Sequence, residues 1–214
     1  MAIDAQLSSG LIVALRFLIA AAVMGIIFRR EVRTITPRDA LLGCVAGLIL
    51  GMAFLLQVMG QSMTTPSNSA FLTSLNVIIV PFLSWGFFHQ RPTRKMLLVA
   101  LGCLVGALVL TLSPGEGLQL GFGDLLVLCC AVAFSLHISY LGWVAGRIEV
   151  KKLTFLQMLT AGCLGGLYTL AFELPQIAEA DFAAGWMPIL YMGLLSTAFA
   201  FFAQTYAQKH TSPA

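Results

Sequence analysis

Seven apolar stretches, each close to the roughly 20 residues that cross a bilayer as a helix, punctuate this 214-residue chain and leave it few ways to fold. They run from Gly10 to Phe28, Ala40 to Gly60, Ser67 to Phe88, Met96 to Leu112, Gly123 to Ala145, Leu153 to Phe172 and Trp186 to Ala207. Only 10% of the residues are charged, against about 25% in an ordinary soluble domain, so the chain has too few groups to cover a water-facing surface. Lipid must solvate most of it, and in lipid the backbone polar groups have to be satisfied inside helices. The expected fold class is therefore all-α, a polytopic transmembrane helix bundle with about seven helices.

The cations sort by side. Arg29, Arg30, Arg33 and Arg38 follow the first span, Arg91, Arg94 and Lys95 the third, Arg147, Lys151 and Lys152 the fifth, and Lys209 the seventh. Eleven of the twelve Lys and Arg residues thus belong to one face, which positive-inside bias makes cytoplasmic, and only Arg16 lies within a span. The chain is expected in the cell (plasma or inner) membrane, multi-pass, with its first residue outside and its C-terminus cytoplasmic. Acidic Glu116, Glu173, Glu179 and Asp181 fall in the outer links, in agreement with that orientation. Five cysteines, at 44, 103, 129, 130 and 163, lie in apolar runs without metal or redox spacing and read as small packing residues.

The exit of the second span repeats at the exit of the seventh. Ala53, Phe54, Gln57, Gln61, Thr64 and Pro66 recur as Ala200, Phe201, Gln204, Gln208, Thr211 and Pro213, six identities at a constant offset of 147. Five spans separate the copies, so the second enters the membrane from the opposite side, as in the inverted repeats of many secondary transporters. By this logic residues 1–113 are a first repeat lacking its first helix, and 121–214 a second repeat lacking its last two. A complete arrangement would have ten helices.

The chain resembles the drug/metabolite transporter superfamily, and within it the EamA type, whose members carry two inverted five-helix repeats. The residues behind the resemblance are Ala14 to Ala20, with Arg16-Phe17 like that family's second-helix motif, the run Thr64 to Thr73 continuing to Pro81, and the glycine-bearing stretch Leu101 to Leu110. Where the family usually places a Glu in a Gly-Glu-Arg turn, this chain has His89-Gln90-Arg91, so that Gln90 stands in for the acid. The resemblance implies transport, often export, of small metabolites such as amino acids, with no chemistry performed on them.

Polar side chains inside the spans are the candidates for substrate binding, because each is costly in hydrocarbon unless it faces protein or a water-filled cavity. Arg16, about 9 Å below the outer end of its helix, either snorkels to the headgroups, makes a structural bond, or meets a substrate carboxylate. Ser69, Thr73 and Asn76 fall at helical spacing and form one stripe near Asn68, suited to hydrogen-bonding a zwitterionic substrate or to tying helices together. Pro81, further along, is the expected place for the helix to break. Gln57 and Gln61 have inverted counterparts in Gln204 and Gln208, read as paired gates or as interfacial end caps. His137, with Tyr140 three residues on, offers a titratable group at membrane depth; a hydrogen-bonded core histidine is the plainer reading, and no Asp or Glu lies deep enough to complete a relay. Glycines four apart, at 43, 47 and 51, 102 and 106, and 162 and 166, speak for close helix packing. Trp85, Trp143 and Trp186, near span ends, read as interfacial anchors.

Other function classes fit less well. A retinal protein needs a Schiff-base lysine within a late helix, and every lysine here is in a link. An intramembrane enzyme needs a nucleophile with its base, a metal cluster or a carboxylate pair, and none is arranged within the spans. A channel or a structural membrane protein is the main alternative to a carrier. The expected partners are the bilayer, a small-molecule substrate and, among assemblies, a homodimer; nucleic acid, metals and cofactors are not expected.

Overall fold

The computed structural model describes residues 7–88, 93–111, 121–178 and 180–210, and among them every regular element is helical. The order is α1 (Ser9–Ile27), a short α2 (Arg29–Val32), α3 (Pro37–Gln61), α4 (Pro66–Ser74), α5 (Asn76–Phe88), α6 (Arg94–Thr111), α7 (Phe122–Val144) and α8 (Val150–Phe172). After a 3-10 turn at Leu174–Ile177 the chain continues through α9 (Phe182–Tyr191), a π-helical segment (Met192–Phe199) and α10 (Ala200–His210) as one rod. The chain is thus a multi-pass membrane helix bundle.

The polar links start the helices. Thr36 caps α3, its hydroxyl accepting from the Asp39 N–H while Asp39 accepts from the Thr36 N–H, and Pro37 occupies the first helical position. At α4 the Thr65 hydroxyl accepts from the Asn68 N–H with Pro66 in the first helical position, and Asp181 caps α9.

Six of the seven expected spans are helices long and apolar enough to cross a membrane; the remaining one is α6, an apolar helix over Leu97–Gly106 among the described residues. The third span is broken, and not at Pro81, which sits inside α5. The break is at Leu75. There the Ser74 hydroxyl occupies the Phe71 carbonyl (2.6 Å), and the Leu75 N–H reaches the Leu72 carbonyl three residues back instead (3.3 Å). A hydroxyl competing for the backbone ladder thus does what the proline was expected to do.

At the centre α8 packs against α1 and α3, α3 against α7, and the π segment against α1. Phe17, Leu50, Met158 and Val13 are fully enclosed there, and Phe54 meets the rings of Phe17, Phe134 and Phe201. Ile26, Phe172 and Phe199 are more than 70% exposed, a placement that costs nothing in lipid and much in water. Because lipid is as apolar as the core, close packing rather than the hydrophobic effect holds such helices together. Glycine supplies it on α3: a methyl on Gly47 would lie 2.6 Å from the Gln157 carbonyl oxygen. On α8 the working pair is Gly162 and Gly165. Gly166, expected from spacing alone, faces nothing within 4 Å, and the same holds for Gly102 and Gly106 on α6 among the described residues.

The two ends of the bundle differ chemically. At one end Lys151 pairs with Glu31 (2.5 Å), and Lys152 reaches Asp39 (3.4 Å) and the Thr34 carbonyl (2.8 Å), joining the basic links after α1 and α7. Arg147 lies over the Trp143 ring and donates to the Trp143 carbonyl. At the other end Glu173, after α8, accepts the Gly10 N–H at the start of α1 (2.9 Å), a carboxylate on a helix N-terminus.

Candidate functional site

The broken third span opens space beside it. A cavity of about 550 Å³ lies between α3 and the α4–α5 rod, lined by Gln57, Gln61, Pro66, Ser69, Ala70, Thr73, Ser74 and Asn76. The stripe Ser69, Thr73, Asn76 therefore faces this cavity, and Gln57 and Gln61 face it from α3. Among the described residues its walls offer two carboxamides from α3, a third from Asn76 and three hydroxyls, with no charged side chain. Ser69 is buried, and among the described residues neither its hydroxyl oxygen nor that of Thr73 has a hydrogen-bond partner. Buried polar atoms without a partner are expensive.

Asn68, on the same turn of α4, is committed elsewhere. It bonds Asp124, whose carboxylate also takes the Thr64 hydroxyl (2.5 Å) and the Gly121 N–H (2.8 Å). Asp124 begins α7 and is buried, so one carboxylate ties the α3–α4 corner to the neighbouring helix. A methyl on Gly123 would lie 2.7 Å from the Met63 backbone, which makes this corner a backbone-to-backbone contact.

The other sequence candidates lie outside the lining of the cavity. Arg16 is buried rather than snorkelling. Its Nε donates to the Thr197 hydroxyl (3.0 Å), and its guanidinium carbon stands 4.5 Å from the centre of the Phe54 ring and 5.4 Å from that of Phe17. No carboxylate among the described residues forms an ion pair with it. Ring faces offset part of the cost of a buried cation, by up to about 2 kcal/mol when desolvated. Thr197 in turn donates to the Met192 carbonyl five residues back (2.7 Å), a bond that belongs to the π segment.

His137 is fully enclosed, 3.1 Å from Gln157 Oε1. Gln157 Nε2 donates to the Thr205 hydroxyl (3.1 Å), and that hydroxyl donates to the Phe201 carbonyl (2.7 Å). The directions follow from this chain: the Thr205 proton is spent on Phe201, so its oxygen must accept from the Gln157 amide, whose oxygen then accepts from His137. The imidazole proton is on Nε2, and Nδ1 has no partner among the described residues. The network joins α7, α8 and α10. Tyr140 donates to the Leu42 carbonyl (3.2 Å), and Gln204 is half-buried on α10.

Thr197, Gln157 and Thr205 escaped the sequence reading, and Asp124, too near the start of its span to serve a proton relay, is a helix tie instead. Each lone residue sits in a span as a plain polar side chain, and only the fold pairs it. Gln90, Glu116, Glu179, Thr211 and Pro213 lie outside the described residues.

A polar cavity beside a broken helix inside a membrane bundle suits a solute carrier, and comparison with known proteins bears on that. The model of the EamA-like transporter family matches residues 2–112 and 121–214. The chain belongs to this family. An uncharacterized transporter of Archaeoglobus fulgidus is similar to the EamA-like chain, with 28% identity over 119 residues. That match takes in 54% of the chain and 36% of the relative, so the chain spans little more than a third of that relative's length. A solved crystal structure superposes with a TM-score of 0.72 at 18% identity, across 97% of the EamA-like chain and 73% of the other, a likeness of fold. The family and the relative are both described as transporters.

Proposed function

We propose that this EamA-like protein is a secondary carrier that exports small metabolites such as amino acids or related compounds and does no chemistry on them. The cavity between α3 and α4–α5 carries the reading: a membrane helix interrupted beside an uncharged polar space is how such carriers hold a cargo at depth. Gln57, Thr73 and Asn76 contact the cargo directly in this reading. Arg16, Asn68, His137, Tyr140 and Gln204 join or release it as the helices move.

The proposed movement is an exchange between two inverted repeats, 1–113 and 121–214. Support comes from Phe54 and Phe201, equivalent at the offset of 147, whose ring centres lie 5.9 Å apart, as equivalent residues do beside a two-fold axis. The proposed orientation places the end with Lys151 and Lys152 in the cytoplasm, by the positive-inside bias.

Counterflow in liposomes carrying the full gene product, loaded with labelled small metabolites, tests this. Uptake should saturate with substrate and require an unlabelled pool on the far side. Thr73→Val with Asn76→Leu should reduce it about tenfold or more, and Arg16→Lys and Arg16→Gln should each do the same if Arg16 meets the cargo. Flux linear in concentration would mean a channel. Absence of flux for every metabolite offered would remove the carrier reading.

A further inference from the structure

Arg16 carries a full positive charge into the bundle, and its surroundings there are neutral. The residue is 9% exposed. Its Nε donates to the Thr197 hydroxyl, whose own proton goes to the Met192 carbonyl. The rings of Phe54 and Phe17 flank the guanidinium. These partners orient the group without neutralising it, because a hydroxyl and a ring face carry only partial charges. The acids of the bundle are occupied elsewhere. Glu31 and Asp39 meet Lys151 and Lys152, Asp124 takes Thr64 and Gly121, and Glu173 takes the Gly10 N–H at the start of α1.

The two terminal amino groups of Arg16 are the free end of the fork. Among the described residues they donate to nothing, and unlike the enclosed Nδ1 of His137 they keep open surface. Phe54, over whose ring the guanidinium stands, precedes Gln57 by three residues on α3, so the charge lies within about one helical turn of the cavity wall.

A cation in a low dielectric, with open N–H groups and no counter-charge, is one half of a charge-assisted pair. Water completes the hydrogen bonds but leaves the charge. A small anion completes both: a carboxylate accepts from the two terminal amino groups side by side, and a halide sits between them. We propose that the terminal amino groups of Arg16 form an anion site at membrane depth, with Thr197 as the positioning residue that holds the fork in place. A carboxylate there belongs to the cargo, and for that source the site rests on the carrier reading; a halide is a resident counter-ion.

The test is the anion dependence of unfolding, measured on the full gene product in uncharged micelles with urea as denaturant. Sodium acetate and sodium chloride are each raised to about 0.3 M, which should increase the folded-to-unfolded ratio about fourfold for a dissociation constant of about 0.1 M, and further for a tighter site. Arg16→Met keeps the surface cations and so reports the general effect of salt; the wild-type gain should exceed its gain by that factor. If Arg16→Met does not fold, Arg16→Gln, which keeps a donor for Thr197 and lacks the charge, serves in its place.

A gain with acetate well above that with chloride would assign the site to a cargo carboxylate, and a gain with chloride as large or larger would assign it to a resident halide. Equal gains in wild type and variant, or no gain in the wild type with either salt, would overturn the proposal. No flux enters this assay, so counterflow can fail while the anion dependence stands, and the reverse.

Discussion

Adjacent glycines on α8 give a sharp test of how this bundle is held. Gly165 and Gly166 share a helix, a depth and a composition, yet a methyl on Gly165 would sit 2.7 Å from the Ala14 backbone nitrogen and 3.1 Å from the Gly10 carbonyl oxygen, whereas one on Gly166 meets nothing within 4 Å. Ordinary contact begins near 3.4 Å, so Gly165→Ala must push α1 and α8 apart by about 0.7 Å, and the obstacle is backbone, which cannot rotate away. Overpacking of this kind costs about 1–3 kcal/mol, offset by the roughly 0.5–1 kcal/mol that alanine gains over glycine in a helix. The net for Gly165→Ala is a loss of about 1–2 kcal/mol, while Gly166→Ala keeps the gain alone. The two variants should differ by about 2 kcal/mol, read as the midpoint of unfolding in mixed micelles with rising denaturing detergent. Equal midpoints would show that the close approach of α1 to α8 carries no stability.

Two further outcomes follow from the hydrogen bonds. Gln157→Leu leaves the His137 N–H buried without an acceptor and should cost about 1–3 kcal/mol in the same assay, and adding His137→Leu should recover part of the loss because both partners are then apolar; a double variant worse than the sum of the singles would refute the pairing. Lys151 donates to Glu31 and holds its carboxyl below the ordinary value of 4.5, so the stabilisation is whole above that value and is lost as pH falls through the lowered one. Glu31→Gln should therefore lower the unfolding midpoint near neutral pH and leave it unchanged in strong acid; an equal effect at both would exclude the ion pair as the cause.

Much of the fold was legible because lipid leaves few choices: length and hydropathy locate the helices, and the basic links mark one end. Helix breaks were less legible. Proline is a visible signal, yet α5 runs through Pro81 and the ladder fails at Leu75, where a serine hydroxyl competes for one carbonyl. Spacing could show that Ser69, Thr73 and Asn76 share a face, and they share the cavity too, because i, i+4 and i+7 positions stay aligned even across a one-residue break. It could not show that Asn68 turns to Asp124 or that Arg16 finds Thr197, since those partners are 56 and 181 residues away in the chain. The glycines make the same point: Gly162 and Gly166 have the familiar spacing, but helix rotation against α1 selects Gly165.

The π segment Met192–Phe199 behaves, in effect, as one inserted residue. A π turn takes up more residues than an α turn, so everything beyond it is rotated relative to a regular helix. That rotation lets Gly193 and Thr197 address α1 while Phe201 and Thr205, further along the same rod, address α3, α7 and α8. Removing Leu194 or Leu195, both largely lipid-facing, would regularise the ladder and yet scramble the register of the whole C-terminal half of the rod. For this helix a deletion that improves local geometry is the more damaging change, and length at this point is under tighter constraint than residue identity.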